Sequence, residues 1–209
     1  MRTASAGSEN DMNDRLMNAS LADRLDHPER LLWLPPAMVI GALAVQPGDA
    51  IADIGAGTGY CSLPLAREVG SLGLVYALDC QAEMLGRLQY KLDAGSISNI
   101  RVINADADST GLPNASCDLV FMANVWHEFA DRSAVLLEAK RILKDGGRIA
   151  VLDWRLDVEP EHGPPIHHRL SASDAADFMQ SAGFFDVDQC NAGRYSWLVQ
   201  GSIQGESEQ

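Results

Sequence analysis

The sequence predicts an α/β protein built on a doubly wound, mostly parallel sheet in three layers. Five short apolar runs alternate with stretches of helical periodicity between residues 51 and 154, and such alternation yields parallel strands covered by helices on both faces. The first run breaks into Asp53-Ile54-Gly55-Ala56-Gly57-Thr58-Gly59-Tyr60 and resumes as Ser62 to Glu68, which reads as buried strand, tight turn and helix. Two final apolar runs, Phe184 to Cys190 and Tyr195 to Gln200, flank Asn191-Ala192-Gly193 and read as a closing β-hairpin.

Taken in order, residues 1–12 are small and polar and predict a disordered tail. A helix with a ragged apolar face is expected from Met12 to Leu25. Pro28, Pro35 and Pro36 then divide the chain into short pieces. A helix over Met38 to Ala44 is expected to end at the Gln46-Pro47-Gly48 turn, ahead of the first strand. The second strand is Leu74 to Leu78, ended by Asp79. Met84, Leu85, Leu88 and Leu92 lie at helical spacing, and Gly95 is the expected stop. Ile100 to Ile103 is the third strand and leads to Asn104-Ala105-Asp106-Ala107-Asp108. Asp118 to Ala123 is the fourth, followed by Asn124-Val125-Trp126-His127-Glu128. Asp131 is placed to cap a helix with inner face Leu136, Ala139 and Leu143, stopping at Gly146 before the fifth strand, Arg148 to Trp154. Residues 155–170 lose periodicity, and a loop of that length inside a compact domain points to function. Ser171 is expected to cap the last helix, which stops near Gly183.

Composition narrows the partners. The 209 residues carry a formal charge of −13, which disfavours a phosphate backbone as ligand and favours small molecules. The four cysteines, Cys61, Cys80, Cys117 and Cys190, form no C-x-x-C pair. They predict neither a zinc ribbon nor a disulfide framework, but a reducing compartment. No secretory h-region is visible, and the longest apolar tract, Leu31 to Val45, is too short and too interrupted by proline to span a bilayer. A cytoplasmic protein is expected.

The glycine spacing narrows the ligand. A dinucleotide site follows G-x-G-x-x-G/A, whereas here glycines stand at 55, 57 and 59 and position 60 is Tyr. Asp-x-Gly-x-Gly-x-Gly, with the acidic Asp79 twenty residues after Gly59, resembles the first motifs of the class I S-adenosylmethionine-dependent methyltransferases. The resemblance covers roughly residues 45–200 and is closest to the small-molecule group that includes ubiquinone/menaquinone-biosynthesis and arsenite methyltransferases. It implies a Rossmann-like, seven-stranded sheet of order 3-2-1-4-5-7-6 with strand 7 antiparallel. The implied organisation is a tail over 1–12, N-terminal cap helices over 13–45, the methyltransferase domain over 46–200 and a tail over 201–209.

Carried onto this sequence, the resemblance implies S-adenosyl-L-methionine as cofactor, with Gly55, Gly57 and Gly59 against its methionine and ribose parts. Asp53 would orient its amino group, Asp79 would hold the ribose hydroxyls, and Cys80 and Met84 would border the adenine. Asp106 and Ala107 would contact the adenine amino group, unless Asp106 is only a turn residue. Asn124 would face the reacting methyl. His127, just past strand 4, is the candidate catalytic base; its other reading is a helix cap or packing residue. Cys80 and Cys117 also read as buried packing residues. The cysteine positions expected for arsenite methylation are not clearly reproduced.

His162, His167 and His168 lack a metal-ligand spacing, so no metal is expected and the 155–170 loop reads as a mobile substrate lid. His27, Arg30 and Trp33 would form the opposite wall, or belong to the core and surface of the cap. The implied reaction is in-line methyl transfer to a small-molecule acceptor, without nucleic acid or a membrane span. A cofactor-binding module without turnover, or a partner subunit with this fold, remains the alternative. Tyr60 argues against a nicotinamide dehydrogenase.

Overall fold

The computed structural model describes residues 22–159 and 161–205. The expected tail over 1–12 and most of the expected 12–25 helix lie outside them. The described residues open with three short helices, α1 (Ala22–Leu25), α2 (Arg30–Trp33) and α3 (Pro36–Leu43). Pro36 opens α3, where proline's missing N–H has no helical partner to lose. The core then alternates β1 (Ala50–Ile54), α4 (Ser62–Val69), β2 (Leu74–Asp79), α5 (Ala82–Gly95), β3 (Ile100–Asn104), β4 (Cys117–Ala123), α6 (Arg132–Ile142), β5 (Leu143–Trp154), α7 (Ala172–Ser181), β6 (Phe185–Ala192) and β7 (Ser196–Ser202).

The sheet order is β3-β2-β1-β4-β5-β7-β6. β1 to β5 pair in parallel, and β7 runs antiparallel to both β5 and β6. This is the order, and the antiparallel strand, that the family resemblance implies. Period-two alternation makes both faces of the central strands apolar. In β4, Leu119 and Phe121 join one core with residues of α3, α4 and α5. Val120 and Met122 join the other with residues of α6 and α7. Both layers lie over continuous buried strands, and each such large side chain removed from water stabilises the fold by about 1.5–3 kcal/mol.

Local chemistry sets the element ends. Asp131 caps α6 by accepting the Ala134 N–H at 3.0 Å. Ser171 and Asp174 form a reciprocal capping box on α7. Several boundaries differ from expectation, three of them for a visible reason. Gly95 is the last helical residue of α5, and the left-handed position falls on Ser96, φ 50°. β5 starts at Leu143 because Leu143 pairs with Cys117; the strand then bulges around Gly146, φ 70°, before Arg148 pairs with Leu119. The hairpin turn is Gly193 to Tyr195, since Asn191 and Ala192 are still paired with Trp197 and Ser196.

Among the described residues of the 155–170 segment the one helical element is a short 3-10 turn, Ile166–His168. The segment is nonetheless tied down. The buried Arg169 guanidinium donates to the carbonyls of Pro164, Arg155 and His162 at 3.0, 2.8 and 2.7 Å, and more weakly to Val158.

Candidate active site

A cavity of about 1300 Å³ lies beyond the carboxyl ends of β1, β2, β3 and β4. That is the switch point where the chain leaves β1 in one direction along the sheet and returns through β4 in the other. Its floor is the loop after β1. Gly55, Gly57 and Gly59 have φ of 76°, 55° and 85°, a region in which side chains other than glycine's are strained. The Gly57 N–H donates to Asp79 Oδ2 at 2.9 Å, while Asp79 Oδ1 accepts from Gln81 N–H at 2.9 Å. Burial raises the Asp79 carboxyl, against those two hydrogen bonds. Beneath the loop, Asp53 is buried at the end of β1 and accepts the Ser62 hydroxyl at 2.5 Å. Its desolvation pushes the carboxyl up to about 6.

The opposite half of the cavity centres on His127. It stands in the 3-10 turn Trp126–Glu128 after β4, and Asp153 near the end of β5 holds it twice. The His127 N–H donates to Asp153 Oδ2 at 2.9 Å, and Nδ1 lies 2.9 and 3.0 Å from the two carboxylate oxygens. Nε2 is 3.8 Å from Glu128 Oε1. Burial works against the imidazolium, but the charge and hydrogen bond of Asp153, with Glu128, outweigh it and raise the histidine. Two walls close over this half. His27 and Trp33 come from the N-terminal segment, whose Arg30 lies instead over Tyr60 of the glycine loop, and His162, Gly163, His167 and His168 from the Arg169-stapled loop. The walls meet where Trp33 stacks on His162, ring centroids 4.8 Å apart.

Comparison with known proteins agrees with this geometry. A family described as "Methyltransferase domain" matches residues 52–151. A ubiquinone/menaquinone biosynthesis C-methyltransferase UbiE of Hahella chejuensis is 36% identical over 62% of this chain and 51% of its own length. The enzyme of that name from Ectopseudomonas mendocina is 30% identical over 86% of this chain and 66% of its own. The crystal structure of a SAM-dependent methyltransferase from Aquifex aeolicus superimposes with TM-score 0.85 at 28% identity, over 90% of this chain and all of that one. The chain belongs to the class I S-adenosylmethionine-dependent methyltransferases. It spans about half to two thirds of the length of these curated relatives.

The residues present fit the cofactor of this methyltransferase family. Five buried side-chain polar atoms lack a hydrogen-bond partner among the described residues: Arg30 Nε, both amide atoms of Asn124, Trp126 Nε1 and Ser196 Oγ. Three of the five belong to residues lining the cavity, Arg30 and Asn124. Unpaired buried polar groups are costly, and a polar ligand in the cavity relieves that cost. Asn124 is held there by a left-handed backbone, φ 57°, which a short polar side chain tolerates.

Of the expected site residues, Asp53, Gly55, Gly57, Asp79, Cys80, Met84, Asp106, Ala107, Asn124 and His127 all line the cavity. Gly59 does not. A Cβ there would meet Leu88 Cδ1, so this glycine makes room for α5. The Cβ missing at Gly55 likewise leaves space for Val125, 2.7 Å away. Cys80 is exposed at the cavity rim, not a buried packing residue, because it follows the last residue of β2; Cys117 is fully buried. Asp153 escaped the sequence reading. Its signal is the lone acid in the run Ile149-Ala150-Val151-Leu152-Asp153, at the strand end facing the site. Among the described residues no group of three or more His, Cys, Asp or Glu is arranged to hold a metal ion. Nor is any helix there long and apolar enough to cross a membrane.

Proposed function

We propose that this methyltransferase acts on a small molecule, by in-line transfer to an aromatic carbon or oxygen of a hydroxylated ring. The observation that carries the reading is the roofed half-cavity around His127. The total of about 1300 Å³ exceeds the roughly 300–1,000 Å³ of a single-ligand pocket, leaving space for an acceptor beside the cofactor. The ring class is suggested by the aromatic wall of Trp33, Trp154 and His162 and by the printed name of the curated relatives, ubiquinone/menaquinone biosynthesis C-methyltransferase.

When bound, S-adenosylmethionine supplies a sulfonium methyl group open to attack from the side opposite the sulfur. Asp53 would pair with its amino group and Asp79 would accept its ribose hydroxyls. Gly55 and Gly57 would offer backbone to its methionine and ribose parts. Cys80, Met84, Asp106 and Ala107 would border its adenine, and Asn124 would face the methionine end. His127 acts as general base. With Nδ1–H donated to Asp153, Nε2 presents its lone pair and takes the proton of the acceptor hydroxyl, leaving a phenolate-like nucleophile; methylation at oxygen then needs no further proton transfer, whereas methylation at carbon gives a dienone that releases its ring proton to solvent as the aromatic ring is restored. The two walls exclude water and hold the acceptor in line.

Calorimetric titration with S-adenosylmethionine, S-adenosylhomocysteine and NADH tests the cofactor half. Binding of the first two, weakened about tenfold or more by Asp79→Ala, is expected. Transfer of labelled methyl to a panel of hydroxylated aromatics tests the acceptor half. His127→Gln should lower kcat by about 10²–10⁴-fold with S-adenosylhomocysteine affinity intact. Unchanged turnover would remove His127 from the chemistry, and cofactor binding without methylation of any acceptor would favour a non-catalytic module.

A further inference from the structure

Among the described residues Arg30 is the buried cation on the cavity wall whose setting the scheme above leaves unexplained. It is 93% buried, at 7% relative exposure. Its Nη1 donates to the Leu25 carbonyl at 3.1 Å, and its Nε is buried without a partner among the described residues. Desolvation lowers its pKa, while Cys61, Tyr60, Asp26 and Asp53 act to raise it, so Asp53 falls within the reach of its charge. Guanidinium stays protonated in proteins, so the position is a buried positive charge with no carboxylate hydrogen-bonded to it among the described residues.

The surroundings hold it there deliberately. The Arg30 guanidinium carbon lies 3.8 Å from the centre of the Tyr60 ring, a cation–π distance. The Tyr60 hydroxyl donates to the Leu34 carbonyl at 2.5 Å. Thr58 Oγ1 donates to Asp26 Oδ1 at 2.7 Å, and Lys91 Nζ bridges Asp26 and the Thr58 carbonyl at 2.6 and 2.8 Å. The segment bearing Arg30 is thus stitched along the glycine loop. Tyr60, the residue that departs from the dinucleotide pattern, is the platform beneath the guanidinium.

We infer that Arg30 binds the α-carboxylate of the cofactor's methionine half, with Asp53 on the α-ammonium, so that the two buried residues clamp a zwitterion from opposite ends. This rests on the cofactor assignment and adds a residue to it. A free amino-acid end is the one part of the cofactor that carries both charges, and the cavity is lined by a buried group of each sign, Arg30 and Asp53. A neutral pair of side chains could not discriminate it from the uncharged tail of a related nucleoside. The bidentate fork of arginine suits a carboxylate better than the point charge of lysine.

The test compares three ligands by calorimetry. S-adenosylhomocysteine carries both charges, its decarboxylated analogue keeps the amine alone, and 5′-methylthioadenosine has neither. Wild type should prefer S-adenosylhomocysteine over the decarboxylated analogue by about 10- to 100-fold. Arg30→Met should erase that preference while leaving the affinities for the other two ligands within about threefold, since they never met the guanidinium. Arg30→Lys should recover part of it. Equal wild-type affinity for the first two ligands would overturn the inference without recourse to any variant. So would Arg30→Met that leaves S-adenosylhomocysteine binding unchanged, or that weakens all three ligands alike, which is the mark of a residue that only anchors the cap. Wild type that binds none of the three would overturn the cofactor assignment itself.

Discussion

Asp53→Asn should stabilise the ligand-free protein at neutral and basic pH while damaging cofactor binding. Burial raises the Asp53 carboxyl from 3.8 to about 6, against the favourable Ser62 hydrogen bond and the charge of Arg30, with Asp79 adding repulsion. Because the folded value is the higher one, the group's contribution to stability is full below 3.8 and is lost as pH rises through 6. At about 1.4 kcal/mol per pH unit, the gap between 3.8 and 6 amounts to about 3 kcal/mol at pH 8 and about 1 kcal/mol at pH 4.5. Asparagine keeps the shape and can still accept from Ser62, without the charge. Urea melts of both proteins at the two pH values should therefore show the variant gaining about 2 kcal/mol on wild type between pH 4.5 and pH 8. In thermal melts at pH 8 the full effect corresponds to roughly 6–12 °C. S-adenosylhomocysteine affinity should fall about tenfold or more in the variant. A stability difference that does not change with pH, or a variant less stable than wild type at pH 8, would refute the reasoning. The expected outcome would mark Asp53 as a residue kept for its ligand at the expense of the fold.

Three further outcomes follow from the geometry. Gly59→Ala meets both the φ of 85° and the Leu88 Cδ1 contact at 2.3 Å, and should cost about 2–4 kcal/mol in urea melts; Leu88→Ala in the same chain should recover part of it relative to the sum of the single changes. Arg169→Met removes the donor that holds the carbonyls of Arg155, His162 and Pro164. Amide exchange and proteolysis across 155–168 should accelerate, and acceptor KM should rise, with S-adenosylhomocysteine affinity within about threefold; unchanged exchange would show that the loop is held by other contacts. Asp153→Asn should depress kcat less than His127→Gln does and shift the pH profile to lower values, because it removes the charge that raises His127; a profile that does not move would separate Asp153 from the chemistry.

Much of the scaffold was legible in the residues. Short apolar runs and helical spacing located β1 to β5 and the helices between them, and Asp131 and Ser171 cap where their side-chain chemistry says they should. Boundaries were missed where pairing overrode local preference. Leu143 has helical spacing with Leu136 and Ala139, yet it pairs with Cys117 and opens β5. Gly95 has the residue type of a helix stop, yet the chain turns one residue later at Ser96.

The sequence by itself determined the α/β architecture, the glycine turn and the acids after β1 and β2, because backbone conformation and strand periodicity are local properties written into residue type and spacing. Only the tertiary structure decided what those residues touch. Gly59 leaves room for Leu88, Asp153 grips His127 across 26 positions of chain, and Arg30 comes to lie over Tyr60. Arg169, unremarkable in its sequence context, gathers a loop that composition alone describes as mobile. Such contacts join residues far apart in the chain, and their energies come from burial and from the partners that packing supplies.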